Sequence, residues 1–220
     1  MFNIAIDGPA GAGKSTIAKI VAKKLGYIYV DTGAMYRAMA LACIRNNIKA
    51  DEKAKVAEVC ENVDISLAYE NDSQIVKLNG ENVNKYIRDE KVGQMTSAIA
   101  VYGEVREILV ALQRKIAEKE NVVMDGRDIG SAVLPGADVK IYLTASVKTR
   151  AERRYKELCE KGISCDIDKI EKDIIDRDYR DMNRAVSPLK QSEDAVLLDS
   201  SDLSIEEVAD NILKICEEKR

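Results

Sequence analysis

The chain of 220 residues contains no histidine. This absence excludes acid–base catalysis by an imidazole and the Ser-His-Asp mechanism. Cysteine is sparse and widely spaced, without a C-x-x-C pair, and the five are Cys43, Cys60, Cys159, Cys165 and Cys216. Because structural zinc is usually held by histidine or by paired cysteines, we expect no zinc site and interpret the cysteines as reduced cytoplasmic thiols.

Long apolar runs and a strong net charge are missing as well. No run approaches the roughly 18 apolar residues that a membrane span requires, and we expect no signal peptide, because the first predicted strand begins at residue 3. The formal net charge is −4, which gives no general attraction to nucleic acid or to an anionic membrane. We therefore expect a cytoplasmic protein without nucleic-acid or membrane partners, and we expect a monomer.

A strand, a glycine-rich loop and a helix are predicted near the start of the chain. Residues 3–7 (NIAID) predict a buried strand, and residues 8–15 (GPAGAGKS) fit the P-loop pattern G-x-x-x-x-G-K-[ST]. Apolar residues at helical spacing follow, and Gly26 is the expected end of that helix. Such a loop turns its N–H groups toward an anion, and the helix N-terminus adds positive charge. The stretch predicts a nucleoside-triphosphate site, and its alternative is a glycine-rich turn that binds nothing.

Predicted strands alternate with helices along most of the chain. Further strands are predicted at 27–30, 122–124, 139–143 and 195–198. Helices are predicted at 34–45, 51–62, 89–101, 103–119 and 147–161, from Asp166 onward, and after a capping box at 204–207. A small antiparallel unit at 63–87, with turn signals at 71–73 and 79–80, interrupts the alternation. The pattern predicts an α/β fold with a five-stranded parallel sheet, whose ligands gather at the carboxyl ends of the strands.

Polar residues follow two of these strands. Residues 31–33 (DTG) and 125–128 (DGRD) come just after strands and are expected to face the P-loop. The alternative for each is a turn with surface charges.

The positions of several arginines are a second indication of a phosphate-binding site. Arg177, Arg180 and Arg184 share one helical face, and a basic helix around Arg150 suits a mobile lid at 146–165. Guanidinium groups bind phosphate at two points and stabilise a transferring phosphoryl group. The alternative is a solvated, salt-bridged helix. Residues 181–189 are predicted as a loop, because they break the helical periodicity.

Five stretches together resemble the bacterial cytidylate kinases, which phosphorylate CMP and dCMP. They are 6–16 (IDGPAGAGKST), 31–37 (DTGAMYR), 125–130 (DGRDIG), 183–189 (NRAVSPL) and 198–201 (LDSS). The resemblance spans nearly the whole chain in the family's order. It implies one P-loop kinase domain over 1–220 with a three-layer core, in which 63–87 is an inserted monophosphate-binding subdomain and 146–165 a helical lid.

The resemblance implies transfer of the γ-phosphoryl group of Mg·ATP to the 5′-phosphate of CMP or dCMP. Catalysis would rest on positioning and charge neutralisation, because an oxygen of the acceptor phosphate is itself the nucleophile. The alternatives are another small-molecule P-loop kinase, acting on UMP, AMP or shikimate, and a switch that hydrolyses a nucleotide to drive a partner.

The resemblance also implies roles for individual residues. The ATP phosphates would be held by Gly8, Pro9, Ala10, Gly11, Ala12, Gly13, Lys14, Ser15 and Thr16. Ser15 would also bind the Mg²⁺ that accompanies ATP. The substrate-binding set is Asp31, Thr32, Arg37, Ser97, Arg106, Arg127, Asp128, Arg177, Asp181 and Arg184. Within that set, the acceptor phosphate would meet Arg37 and Arg127, the ribose Arg177 and Asp181, and the cytosine Ser97, Arg106, Asp128 and Arg184. We expect four cations to act in catalysis, namely Lys14, Arg127, Arg150 and Arg154.

Overall fold

The computed structural model describes residues 1–70 and 73–220, so the first two residues of the predicted turn at 71–73 lie outside the described part. The described strands are β1 (Asn3–Asp7), β2 (Ile28–Asp31), β3 (Ile65–Glu70), β4 (Ser73–Leu78), β5 (Glu81–Asn82), β6 (Val122–Gly126), β7 (Val139–Thr144) and β8 (Val196–Asp199). The described α-helices are α1 (Lys14–Leu25), α2 (Thr32–Arg45), α3 (Lys53–Asn62), α4 (Glu90–Ile99), α5 (Gly103–Ala117), α6 (Val147–Glu160), α7 (Ile167–Asn183) and α8 (Ile205–Glu218).

Five strands form a sheet in the order β2-β6-β1-β7-β8. β1 pairs in parallel with β6 and with β7, and β7 pairs in parallel with β8. A second sheet, in the order β3-β4-β5, is antiparallel. The prediction of a five-stranded parallel sheet with a small antiparallel insert is therefore confirmed.

The chain divides into two compact units. The first contains Met1–Tyr29 and Glu120–Arg220. Its core lies on one face of the parallel sheet, where apolar side chains of β1 and β7 such as Ile6 and Ile141 pack with Val21 of α1 and Ile212 of α8. β1 is buried along nearly its whole length, which explains its continuous apolar sequence.

The second unit is Val30–Lys119 and contains the antiparallel sheet. Its α2 helix is rich in buried alanine and methionine, and α5 buries Val105 and Leu109 on one face. The three antiparallel strands fall within the predicted stretch 63–87, while the assignment of that stretch as a separate subdomain stays a prediction. In neither unit is a described helix both long and apolar enough to cross a membrane.

Several predicted boundaries differ from the structure by a few residues, and three of them adjoin predicted site residues. β6 continues through Asp125 and Gly126, since these residues pair with Ile6 and Asp7 of β1. β2 includes Asp31, whose side chain accepts the Ala34 N–H, so that α2 begins at Thr32 rather than at 34. α7 continues through Asn183, so the first three residues of the predicted loop at 181–189 are helical.

One element was not predicted at all. Ile129–Val133 forms a short π-helix directly after Asp128, and the Leu134 N–H donates to the Ile129 carbonyl at 2.7 Å. Single π-turns are rare and often lie at functional sites. This one follows the predicted site residues Arg127 and Asp128 directly.

Candidate active site

The loop between β1 and α1 has the backbone of a phosphate-binding loop. Gly8 has a φ of 150°, and a Cβ there would lie 1.9 Å from the Leu143 carbonyl oxygen, so only glycine fits. Gly13, the residue before α1, is in the left-handed region with a φ of 89°. The loop therefore reaches the N-terminus of α1 through conformations that side chains rarely tolerate, as the sequence pattern predicts.

Lys14 is buried at the start of α1, and its Nζ donates to the Pro9 carbonyl at 2.6 Å. Burial, followed by the positive charge of Arg127, holds the pKa of Lys14 well below its ordinary value. The nearby carboxylates of Asp125 and Asp7 act in the opposite direction. A polyphosphate bound at this lysine would stabilise its charged form.

A carboxylate lies next to the predicted metal-binding hydroxyl. The Ser15 hydroxyl donates to Asp125 Oδ2 at 2.9 Å, and the Tyr29 hydroxyl donates to Asp125 Oδ1 at 2.9 Å. Hydroxyl and carboxylate oxygens are hard ligands, and they suit a Mg²⁺ ion that also binds phosphates. Sequence reasoning had not assigned Asp125 a role, although its position at the end of a buried strand was a usable signal.

Asp7 connects the phosphate loop to the turn after β6. Its two carboxylate oxygens accept the N–H groups of Ile129 and Gly130, each at 2.7 Å. Burial raises the pKa of Asp7 to about 6, although these two hydrogen bonds act in the opposite direction. The residue was not among the predicted site residues, yet it fixes the backbone that follows Arg127 and Asp128.

Four predicted substrate residues form two ion pairs in the first unit. Arg127 Nε donates to Asp181 Oδ2 at 2.8 Å, and Arg184 donates to Asp128 Oδ1 at 3.3 Å. Burial alone would raise the pKa of Asp181, but the charge of Arg127 and its hydrogen bond hold that pKa below the usual value. Arg177 lies one helical turn before Asp181 on α7. The structure therefore joins α7 and the segment after it to the turn that follows β6.

The basic helix α6 is attached to the phosphate loop by Arg150. This side chain is 4% exposed and donates to Asp178 Oδ2 at 2.6 Å and to the carbonyls of Ala10 at 3.0 Å and Ala145 at 2.9 Å. The other oxygen of Asp178, Oδ1, is buried and has no hydrogen-bond partner among the described residues. Asp178 was missed because an aspartate on a charged helix gives no separate sequence signal.

The other arginines of α6 differ in their surroundings. Arg153 donates to the Ser200 carbonyl at 2.6 Å, whereas Arg154 is exposed and pairs with Glu157 at 2.8 Å. Arg150 and Arg153 thus hold α6 against neighbouring segments, and the predicted catalytic Arg154 lies at the surface. The assignment of 146–165 as a mobile lid stays a prediction.

In the second unit, Asp31 is the centre of a polar cluster. Its carboxylate accepts the Ala34 N–H at 2.8 Å and pairs with Arg37 and Arg88, each at 3.1 Å. The Asp31 N–H donates to the side chain of Gln74 at 2.8 Å. The predicted pair Asp31 and Arg37 is therefore brought together, and Arg88, which sequence reasoning missed, joins them from the segment before α4.

The remaining predicted residues of this unit lie on three helices. Thr32 is buried in the first turn of α2, Ser97 is half-buried on α4, and Arg106 is buried on α5. The roles of these three residues in ligand binding stay predictions.

The raised pKa of Asp7 predicts a pH-dependent stability. A carboxyl whose pKa rises on folding favours the folded state below about pH 4, and this contribution is lost as the pH rises through about 6. Between these limits we expect the wild type to lose up to about 3 kcal/mol of unfolding free energy relative to Asp7→Asn. Urea unfolding of both proteins from pH 4 to 7.5 measures this difference.

The control for this experiment is Asp202→Asn, which removes one exposed acidic group from the loop before α8. It separates the loss of a charge from the loss of the buried carboxyl. Parallel pH profiles for the wild type and Asp7→Asn would contradict the raised pKa.

Comparison with known proteins agrees with this geometry. The family model for cytidylate kinase matches residues 4–218. The cytidylate kinase of Caldicellulosiruptor saccharolyticus is 50% identical over 214 residues, which are 97% of this chain and 95% of that protein. The cytidylate kinase of Bacillus subtilis is 49% identical over 218 residues, which are 99% of this chain and 97% of that protein.

Solved structures with low sequence identity share the fold. Shikimate kinase from Bacteroides thetaiotaomicron has a TM-score of 0.51 at 15% identity, with 98% of each chain covered. An uncharacterised protein from Eubacterium ventriosum has a TM-score of 0.56 at 14% identity, with 99% of each chain covered. The P-loop kinase fold is thus shown by structure, and the family by sequence over nearly the whole length: the chain belongs to the cytidylate kinase family.

Proposed function

We propose that the protein transfers the γ-phosphoryl group of ATP to the 5′-phosphate of CMP or dCMP, giving ADP and CDP or dCDP. The observation that carries the proposal is the family match over residues 4–218 together with a phosphate loop in which Lys14 is buried beside Arg127. In this reaction the bond between the γ-phosphorus and the β,γ-bridging oxygen breaks, and an oxygen of the acceptor phosphate forms the new bond. No protein nucleophile is required.

The donor phosphates belong to the loop at 8–16. Its backbone N–H groups and Lys14 bind the phosphates and orient them for in-line transfer. Ser15 and Asp125 would hold Mg²⁺, which neutralises charge on the phosphate oxygens when it is bound. Asp7 keeps the backbone after Arg127 fixed relative to β1, so that this arginine can meet the transferring group.

The acceptor phosphate is assigned to arginines that the protein already holds with carboxylates. Asp31 orients Arg37 and Arg88 in the second unit, and Asp181 orients Arg127 in the first. A guanidinium presents five N–H donors, and one whose direction a carboxylate has already fixed loses little further side-chain entropy when it donates to a phosphate.

The base and the ribose are assigned to the segments around β6 and α7. The Asp128 carboxylate only accepts hydrogen bonds, so it suits the exocyclic amine of cytosine. The Arg184 guanidinium, which pairs with Asp128, only donates hydrogen bonds, so it suits cytosine N3 or O2. Uracil has an acceptor, O4, in place of the cytosine amine, and a donor, N3–H, in place of the acceptor N3. UMP would therefore place an acceptor against the Asp128 carboxylate and a donor against the Arg184 guanidinium. Arg177 and Asp181 are assigned to the ribose hydroxyls.

Substrate selectivity tests the proposal directly. The protein is incubated with Mg·ATP and, in turn, CMP, dCMP, UMP, AMP or shikimate, and ADP formation is followed. We expect CMP and dCMP to be preferred over UMP, and UMP over AMP. Preference for UMP, AMP or shikimate would favour another small-molecule kinase, and ATP turnover that needs no acceptor would favour a nucleotide-hydrolysing switch.

Lys14→Met removes the ammonium that neutralises the β- and γ-phosphates. We expect the fold to be kept and kcat to fall by about 100-fold or more, which is the scale for losing one electrostatic stabiliser. Circular dichroism checks the fold, and steady-state kinetics with CMP measures the loss.

The matched control is Lys24→Met on the same helix. Lys24 is half-exposed and pairs with Asp210 at 2.8 Å on α8, so its loss should leave kcat within about 2-fold of the wild type. Near-normal turnover by a folded Lys14→Met protein would overturn the assignment of the phosphate loop.

Asp128→Ala tests the reading of the base. We expect the ratio of kcat/KM for CMP to that for UMP to narrow by roughly 10-fold or more, because a buried acceptor that favours the cytosine amine is lost. The affinity for ATP should change much less. Asp173→Ala, which removes an exposed carboxylate of α7, is the control. Equal losses for both pyrimidines would show that Asp128 does not read the base, and Arg106 or Ser97 would replace it.

A further inference from the structure

Two of the five cysteines meet at the turn between α6 and α7. Cys159 lies in the last turn of α6, four residues after Tyr155 and therefore on the same face of the helix. Gly162, two residues after the end of α6, has a left-handed φ of 70° and reverses the chain direction. The Ile163 N–H then donates to the Leu158 carbonyl at 3.0 Å. This reversal returns the chain toward the helix that it has just left.

Cys165 lies where the returning chain passes the last turn of α6. The Cys165 thiol donates to the Tyr155 carbonyl, and its Sγ lies 4.0 Å from that oxygen. In an α-helix this carbonyl also faces the N–H of the residue four positions later, which is Cys159. Cys165 therefore lies against the turn of α6 that carries Cys159, and the two thiols interact electrostatically.

The other three cysteines are placed differently. Cys43, Cys60 and Cys216 are buried in helices, and burial raises their pKa values to about 11, 12 and 11. Thiols of this kind are inert at neutral pH, because the thiolate is the reactive form. Cys159 is exposed and Cys165 is partly exposed, so reagents in solution reach this pair.

We propose that Cys159 and Cys165 form a reversible intramolecular disulfide, which makes the α6–α7 turn a site of thiol modification. The oxidant is a small disulfide such as oxidised glutathione. The thiolate of Cys159 attacks one of its sulfurs, forms a mixed disulfide and releases one glutathione thiol. The thiolate of Cys165 then attacks Cys159 Sγ, forms the protein disulfide and releases the second thiol. Two protein thiols are oxidised, one small disulfide is reduced to two thiols, and protons balance.

The order of attack follows from exposure. Cys159 is exposed, whereas Cys165 is only partly exposed and its thiol donates to the Tyr155 carbonyl, which makes Cys165 the poorer first nucleophile. Once Cys159 carries the glutathione, the neighbouring Cys165 closes the bond within the same chain at a high effective concentration. The disulfide would close a ring from residue 159 to 165 and restrain the turn between the helix that holds Arg150 and the helix that holds Asp178.

The primary test uses the full-length reduced protein, oxidised glutathione and mass spectrometry. Trypsin cleaves after Lys156, Lys161 and Lys169, so a disulfide would join peptide 157–161 (ELCEK) to peptide 162–169 (GISCDIDK). We expect this linked pair, a fall in titratable thiols of the denatured protein from five to three, and full reversal by dithiothreitol. Separate glutathione adducts on both peptides, an unchanged thiol count, or oxidation of the buried cysteines would overturn the proposal.

Two matched variants separate ring closure from simple thiol reactivity. In Cys165→Ser, the first step is kept and the second is removed, so we expect Cys159 to hold a stable glutathione adduct. In Cys159→Ser, we expect slower modification of Cys165. Equal rates for Cys165 in this variant and for Cys159 in the other would contradict the proposed order of attack.

Hydrogen exchange tests the structural consequence. Amide exchange across 160–166 should be slower in the oxidised protein than in the reduced protein, while the reagent should leave exchange in Cys165→Ser unchanged. Equal exchange in both redox forms of the wild type would show that the disulfide does not restrain the turn. These tests do not depend on kinase activity, so their outcome is distinct from that of the proposed function.

Discussion

The carboxylate of Asp7 is the contact on which the arrangement of the first unit depends. Asp7 is the last residue of the central strand β1, and its carboxylate accepts hydrogen bonds from two consecutive N–H groups of the turn after β6. Loss of a buried acceptor leaves both N–H groups unpaired, at a cost of roughly 1–3 kcal/mol each. The phosphate loop and the backbone after Arg127 and Asp128 are therefore held by one side chain. Because this carboxylate is buried, its ionisation opposes folding. The ionised Asp7 therefore lowers the free energy of unfolding while it holds the turn after β6 in place.

Four of the predicted site arginines follow a common pattern, because each is held by a carboxylate of its own unit. Asp31 holds Arg37, Asp128 holds Arg184, Asp178 holds Arg150 and Asp181 holds Arg127. Pairing balances the charge of partly buried guanidinium groups, which would otherwise be costly. It also fixes their direction before a phosphate binds. Two of these aspartates, Asp178 and Asp181, lie on α7, and the arginines that they hold lie outside that helix, which the sequence pattern alone could not reveal.

Local sequence signals predicted the elements well where the deciding interaction is also local. The P-loop glycines, the left-handed Gly26 after α1 and the capping box of Ser204 and Glu207 depend on residues within one turn, and the structure has all of them. The end of β6 at Gly126 depends on pairing with β1, more than a hundred residues away. Arg150 shows the same limit, because its spacing predicted a basic helix face but could not reveal the partners Asp178 and Ala10.

Lys14 shows how the charges of the site combine. Burial and the neighbouring Arg127 and Arg177 disfavour its ammonium form, and the nearby Asp125 and Asp7 do not fully compensate. One additional carboxylate near Lys14 would favour its ammonium form in the folded protein, but the same carboxylate would repel a bound phosphate. A polyphosphate bound there would supply the missing negative charge, at the position where the loop N–H groups and the α1 N-terminus also favour an anion. The cost of burying Lys14 would then be offset by the ligand rather than by the fold.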